Sequence, residues 1–254
     1  MSDMEEVKIG VNWRHIVVTA LATGVAAVLA IWAVIAAPVG AFPGVSGLYI
    51  AAAIYVPLSL WLGMWGSIAG YFSCVILGFV STPFGVWSFL WSIADFVEGF
   101  IPLVAFRAFK ADVDLGAELK RSKELYILLG VLVINLVLAG IATPLLDSQI
   151  WQIIWIISVV ISIILIIGMY ALNRSKSWLV YIIFGIFCAA IGSALIGVAV
   201  PIWAGYAPPE SFWVGLIGWF AGDLIVLSAI ATPLMVTLTG KIKETSIFVE
   251  KWFS

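Results

Sequence analysis

Apolar residues run through the chain in blocks long enough to cross a lipid bilayer, about 20 residues each, separated by short Gly/Pro breaks and a few charged stretches. The first block runs from Arg14 to Ala37 and stops at Pro38. Residues 47–106 hold too many apolar positions for one span, and they break at Gly63–Gly66 and at Ser81–Gly85. This predicts spans at 47–63, 65–81 and 86–106. A polar segment from Lys110 to Glu124 follows, and then four more blocks at 125–145, 150–172, 178–201 and 212–238. The expectation is an all-α, polytopic transmembrane bundle of about eight spans. Its organisation is a 1–13 segment, a first half 14–109, a linker 110–124, a second half 125–240 and a tail 241–254.

Basic residues test this count. All 12 Lys and Arg fall in the N-terminal segment, in 107–123, in 174–176 and in the tail. The loops at 38–46, 82–85, 145–149 and 202–211 contain none. Cytoplasmic loops carry the excess of Lys and Arg. Eight spans put every basic segment on one side, so both termini are expected in the cytoplasm of a multi-pass cell-membrane protein. Trp13, Trp61, Trp65, Trp151, Trp178, Trp203 and Trp213 fall near predicted helix ends, where amphipathic rings anchor at the headgroup level.

Three acids break the apolar pattern. Asp95 and Glu98 lie near the middle of the 86–106 block, and Asp223 at the middle of the last. A carboxylate at mid-bilayer depth costs roughly 2.5–3.5 kcal/mol on insertion scales. Asp95 and Glu98, three residues apart, share one helix face, which must look into the bundle. With Asn135 they form an inward polar set with no Lys or Arg at the same depth. Three functions are open to it: a proton relay, a cation site, or recognition of a cationic or hydrogen-bonding solute. The competing reading is that the acids tie helices together. Trp91 and Trp219 each precede an acid by four residues, and Pro102 and Pro233 follow. This match divides the chain into two parallel four-helix halves, with chance similarity as the alternative. Trp91 and Trp219 are the expected walls of a small-molecule or ion site. Small residues every four positions, Ala22, Ala26 and Ala30, mark a face that permits close helix approach, either within the bundle or onto a partner.

Composition narrows the function. Only 10% of residues are charged against about 25% in soluble domains, so most of the surface faces lipid. No basic stripe is long enough for nucleic acid. Cys74 and Cys188 sit in apolar runs and read as packing residues. His15 is the single histidine, which leaves no basis for a His triad or a metal cluster, and no GxxxxGK[ST] phosphate loop occurs. The chain is therefore expected not to be an enzyme, to need no cofactor, and to depend on a partner or an ion gradient if it drives uptake. The opening MSDMEEVKIG lacks the basic start and cleavage site of a signal peptide.

Two families share short motifs with the chain. Gly218-Trp219-Phe220-Ala221-Gly222-Asp223 with Thr232-Pro233-Leu234, and the helix from Ser92 through Glu98 to Arg107, resemble the MASE-type membrane-associated sensor domains. Asp95 stands where that pattern has Asn. This resemblance implies a sensory module, and with no kinase, cyclase or phosphodiesterase domain expected after residue 254 it would signal through a separate chain. Ala22-x-x-x-Ala26 and Pro57–Gly70 are similar to segments of the substrate-capture subunits of energy-coupling-factor transporters, which usually have six spans. That resemblance implies solute binding inside the bundle, docking through Ala22, Ala26 and Ala30 onto a coupling membrane subunit, and a separate ATPase. Uptake is the leading expectation and sensing the alternative.

Overall fold

The computed structural model describes residues 13–36, 42, 44–117, 119, 122–145 and 148–253. The chain is a polytopic helical bundle, 81% helical over the described residues. Seven helical segments are long and apolar enough to cross a membrane, and one apolar helix is shorter. In chain order the elements are α1 (Trp13–Trp32), β1 (Val34–Ala36), β2 (Ser46–Tyr49), α2 (Ala52–Leu62), α3 (Met64–Ser81), α4 (Ser88–Trp91), α5 (Ile93–Ala108), α6 (Ser122–Leu145) and α7 (Ser148–Asn173). They continue with α8 (Lys176–Val180), α9 (Ala189–Trp203), α10 (Phe212–Val226) and α11 (Thr232–Lys243). Wide π turns join α8 to α9 over Tyr181–Cys188 and α10 to α11 over Leu227–Ala231. The second π turn has a local cause. Pro233 has no N–H to give to the carbonyl four residues back, and Thr232 Oγ1 instead reaches Leu227 O at 3.0 Å. The same hydroxyl meets Tyr181 OH at 3.3 Å, which joins the two π turns.

The block expected as a continuous helix over 47–63 is built differently. Its helix α2 has 11 residues, about 16 Å at 1.5 Å per residue, half of a hydrocarbon core. The upper half of the crossing is strand β2, paired antiparallel with β1. Contacts trace the descent. Phe42 packs on Gly215 and the Ser46–Gly47 backbone on Gly222. Those two glycines are seven residues apart on α10, about 10 Å along its axis. Tyr49 then reaches Asp95, Tyr55 reaches Glu98, and Trp61 reaches Thr239 near the far end. Strand and half-helix together make one crossing of about 30 Å. Non-helical backbone at this depth is tolerated only when protein covers it. Here β1 pairs with one edge, Gly222 admits the strand against α10, and Trp155 Nε1 donates to Gly47 O at 3.3 Å.

With this composite segment, eight apolar segments among the described residues are long enough to cross, and the described ends, residues 13 and 253, lie together. A strap formed by residues 246–253 knits that end. Arg14 donates to Ser246 Oγ, His15 Nε2 hydrogen bonds Ile247 O, and Arg107 donates to Val249 O and Lys251 O. The Val249 amide donates to Trp61 O and the Met64 amide to Trp252 O. Gly63 turns with φ +63°, and a Cβ there would fall 2.3 Å from Trp252 O. Lys243 Nζ pairs with Asp112 at 2.9 Å at the same end. The described basic residues of the 107–123, 174–176 and tail segments therefore share one end of the bundle with Arg14. The other end carries two aromatic pairs, Phe84 with Tyr206 and Trp87 with Trp203.

Candidate functional site

The centre of the bundle holds the three acids. Asp95 lies in the first turn of α5 with Glu98 one turn on, and Asp223 sits in α10. All three are buried to within 1% of full cover. The break between β2 and α2 supplies their donors. Tyr49 OH donates to Asp95 Oδ2 at 2.9 Å, and Tyr55 OH donates to Glu98 Oε2. Asp223 lies beside Trp219 and Ser193, and its carboxyl is in hydrogen-bonding contact with that of Glu98. Asp95 also neighbours Cys74 of α3. Asp95 Oδ1, Glu98 Oε1 and Asp223 Oδ2 are buried with no hydrogen-bond partner. Buried charge is stable only when paired, protonated or bound to a cation, and among the described residues no Lys, Arg or His stands with these groups.

A cavity of about 300 Å³ leads down to this cluster. Ser81, Thr82 and Gly44 lie at its mouth, Leu77, Trp91 and Trp219 on its walls, and Tyr49 and Asp95 at its floor. Its mouth is therefore at the end opposite the basic residues. The two indoles meet edge to face at 5.9 Å and 80°. Each ring is fixed by a bond to α9: Trp91 Nε1 donates to Gly197 O at 3.0 Å and Trp219 Nε1 to Ser193 Oγ at 2.9 Å. Gly197 must lack a side chain, because a Cβ there would lie 2.3 Å from the Trp219 ring. The result is a small, aromatic-walled, acid-floored compartment, at the lower end of the usual size for ligand pockets. Aromatic faces and a carboxylate both attract a cation. Glu98 and Asp223 lie off the lining, packed beneath the floor.

The structure thus brings together five of the six residues expected to bind a ligand: Asp95, Glu98, Asp223, Trp91 and Trp219. Asn135 stands apart. Its Nδ2 donates to Ser158 O at 3.0 Å and Ser162 Oγ at 3.2 Å, so it ties α6 to α7. Ala22, Ala26 and Ala30 are buried, with α1 laid on α3. That face is covered from within the chain and is not open to a partner, and Ala30 itself lines the cavity. Among the expected anchors, Trp13, Trp203 and Trp213 are exposed, whereas Trp61 and Trp178 are buried, with their N–H groups bonded to Thr239 Oγ1 and Leu115 O. Tyr49 and Tyr55 escape a reading of the sequence. Their one signal is general: a phenol in an apolar block needs a partner when buried, and the acids needed donors.

No family model matches the chain, and no curated protein or solved structure matches it.

Proposed function

We propose that the chain binds a small cationic solute in the Trp91–Trp219 cavity and serves as the capture component of an uptake system in the cell membrane. The observation that carries this reading is the placement of Asp95: it floors an aromatic cavity, and its Oδ1 has no partner. The ammonium group of a solute would sit against Asp95, beside the touching rings of Trp91 and Trp219. The direction of opening supports capture from outside. The positive-inside rule assigns the basic end to the cytoplasm, so the mouth at Ser81–Thr82 faces away from it. Energy for release inward would come from a separate coupling subunit and ATPase or from an ion gradient.

Native mass spectrometry of the full chain in lipid nanodiscs tests the proposal. The expected result is a retained small amine, lost in Asp95→Asn while the helical content stays unchanged. Asn at 95 keeps an acceptor for Tyr49 but removes the charge. An adduct of unchanged mass and occupancy in Asp95→Asn would overturn the assignment, and so would the absence of any adduct in the unmodified protein. Co-purification of a kinase or cyclase would instead favour the sensory alternative.

A further inference from the structure

We propose that Glu98 and Asp223 form a proton-carrying pair, one proton shared between two carboxyls, distinct from the solute cavity above it. This goes beyond solute binding and does not depend on what the cavity holds. The first observation is the contact itself. Two carboxyl groups in hydrogen-bonding contact need a proton between them, because two ionised carboxylates have only acceptors. The second is the pair of orphaned oxygens. Glu98 Oε1 and Asp223 Oδ2 are buried and meet no protein N–H or O–H donor. Left ionised without a partner, each would be an uncompensated charge in the bundle interior.

Among the described residues no basic group is placed to neutralise the pair. The groups that face it are Asp95 on its own helix, Tyr49 from β2, Tyr55 from α2 and Cys74 from α3. From α9 comes only the neutral Ser193. Tyr181, in the first π turn, is turned to Thr232. Arg107 is nine residues beyond Glu98, about 13 Å along α5, and is engaged by the C-terminal strap. A metal ion is the other way to balance two acids, but the oxygens are not arranged for one. Among the described residues no three His, Cys, Asp or Glu side chains converge as a metal site. The nearby Ser59 and Ser67 hydroxyls are already bonded, to Tyr55 O and to Ser59 Oγ. A proton fits this space and needs no further ligand. Asp95 lies one turn from Glu98, so charge arriving at the cavity floor acts on the shared proton at short range. Occupancy of the cavity and of the pair would then be linked.

Infrared spectroscopy of the full chain in lipid nanodiscs reads the proton directly. The expected result at neutral pH is a carbonyl stretch from a protonated carboxyl. It should be lost in Glu98→Gln and in Asp223→Asn, and retained in Asp95→Asn. Each amide keeps the side-chain volume and gives the remaining carboxylate an N–H donor, and the two variants test the pair from opposite helices should one fail to fold. Three results would overturn the proposal: no such band in the unmodified protein, a band that survives both substitutions in the pair, or a band abolished when sodium chloride is raised from low to high concentration. Asp95→Asn separates this site from the solute site, since it should empty the cavity and leave the band.

Discussion

Gly222→Ala tests whether a strand crosses the upper half of the bundle beside α10. A Cβ at 222 would lie 2.6 Å from Gly47 O, 2.8 Å from Ser46 O and 2.9 Å from Gly47 C. Ordinary contact begins near 3.4 Å, so the strand backbone must retreat by roughly 0.8 Å. Backbone cannot swing aside as a flexible side chain can. The Trp155–Gly47 bond, already 3.3 Å, would be broken, and Tyr49, two residues on, would be drawn from Asp95. Overpacking of this kind costs about 1–3 kcal/mol. Helix propensity acts the other way, since Ala is favoured over Gly by about 0.8–1 kcal/mol in a helix interior. Gly24→Ala in α1 is the matched control, because a Cβ there meets nothing within 4 Å. The two substitutions should therefore differ in sign. Thermal unfolding followed by tryptophan fluorescence in detergent should show Gly222→Ala melting several degrees below the unmodified protein, at about 2–4 °C per kcal/mol, and Gly24→Ala melting at or above it. If Gly222→Ala matched Gly24→Ala, the strand would not be seated where the structure puts it.

Other perturbations separate the parts of the molecule. Trp61→Phe removes the donor to Thr239 Oγ1, a hydroxyl still bonded to Met235 O, and should cost about 0.5–1.5 kcal/mol in the same melting assay without reducing ligand occupancy. Truncation after Thr245 strips the strap from α1, α2, α3 and α5. Hydrogen exchange should then speed markedly at the Met64 amide, which loses Trp252 O, while the amides paired between β1 and β2 stay protected. Burial works against ionisation of Asp112, but the Asp114 amide and Lys243 outweigh it and hold its carboxyl below the usual range. A depressed carboxyl contributes stability above its unfolded value, near 3.9, and loses it as pH falls through the folded value. This pair is half exposed, so Asp112→Asn should cost under about 1 kcal/mol at pH 7 and nothing once the pH is below both values, as chemical denaturation at the two pH values would show.

The helices were legible because apolar runs near 20 residues have one solution in lipid, and the acids because nothing else in those runs is charged. The second crossing was not legible for a related reason. Residues 47–63 are apolar on every side, since the bundle surrounds them, so neither a period of two nor one of 3.6 stands out. Only Gly47 and Gly63 mark the ends of the irregular piece. Asn135 was grouped with the acids on polarity alone. Its true partners, Ser158 and Ser162, are spaced four apart and face it across α6 and α7, a pattern that separates it from the centre. The spacing of Ala22, Ala26 and Ala30 marks a close-packing face, but it does not say whether a helix of the same chain or a partner fills it; here α3 does.

The break in the second crossing and the site are one feature. A continuous helix over 47–63 would place Tyr49 and Tyr55 six residues apart, about 240° around its axis at 3.6 residues per turn, so only one could address a single face of α5. As built, Tyr49 closes the strand and Tyr55 lies in the first turns of the helix, and their rings sit 6.5 Å apart. Both hydroxyls then reach acids one turn apart on α5. Exposing strand backbone at mid-depth is costly in lipid, and β1, Gly222 and Trp155 offset it. A bundle needing only to fill space could do so with an unbroken apolar helix and no buried acids. The joint requirement of an irregular strand and two phenols is accounted for by holding three carboxyls in place beneath an open cavity. Replacing Tyr49 and Tyr55 together by Phe should therefore leave the helices in place and abolish the ligand adduct. A double variant that kept the adduct at full occupancy would show that the break serves packing alone.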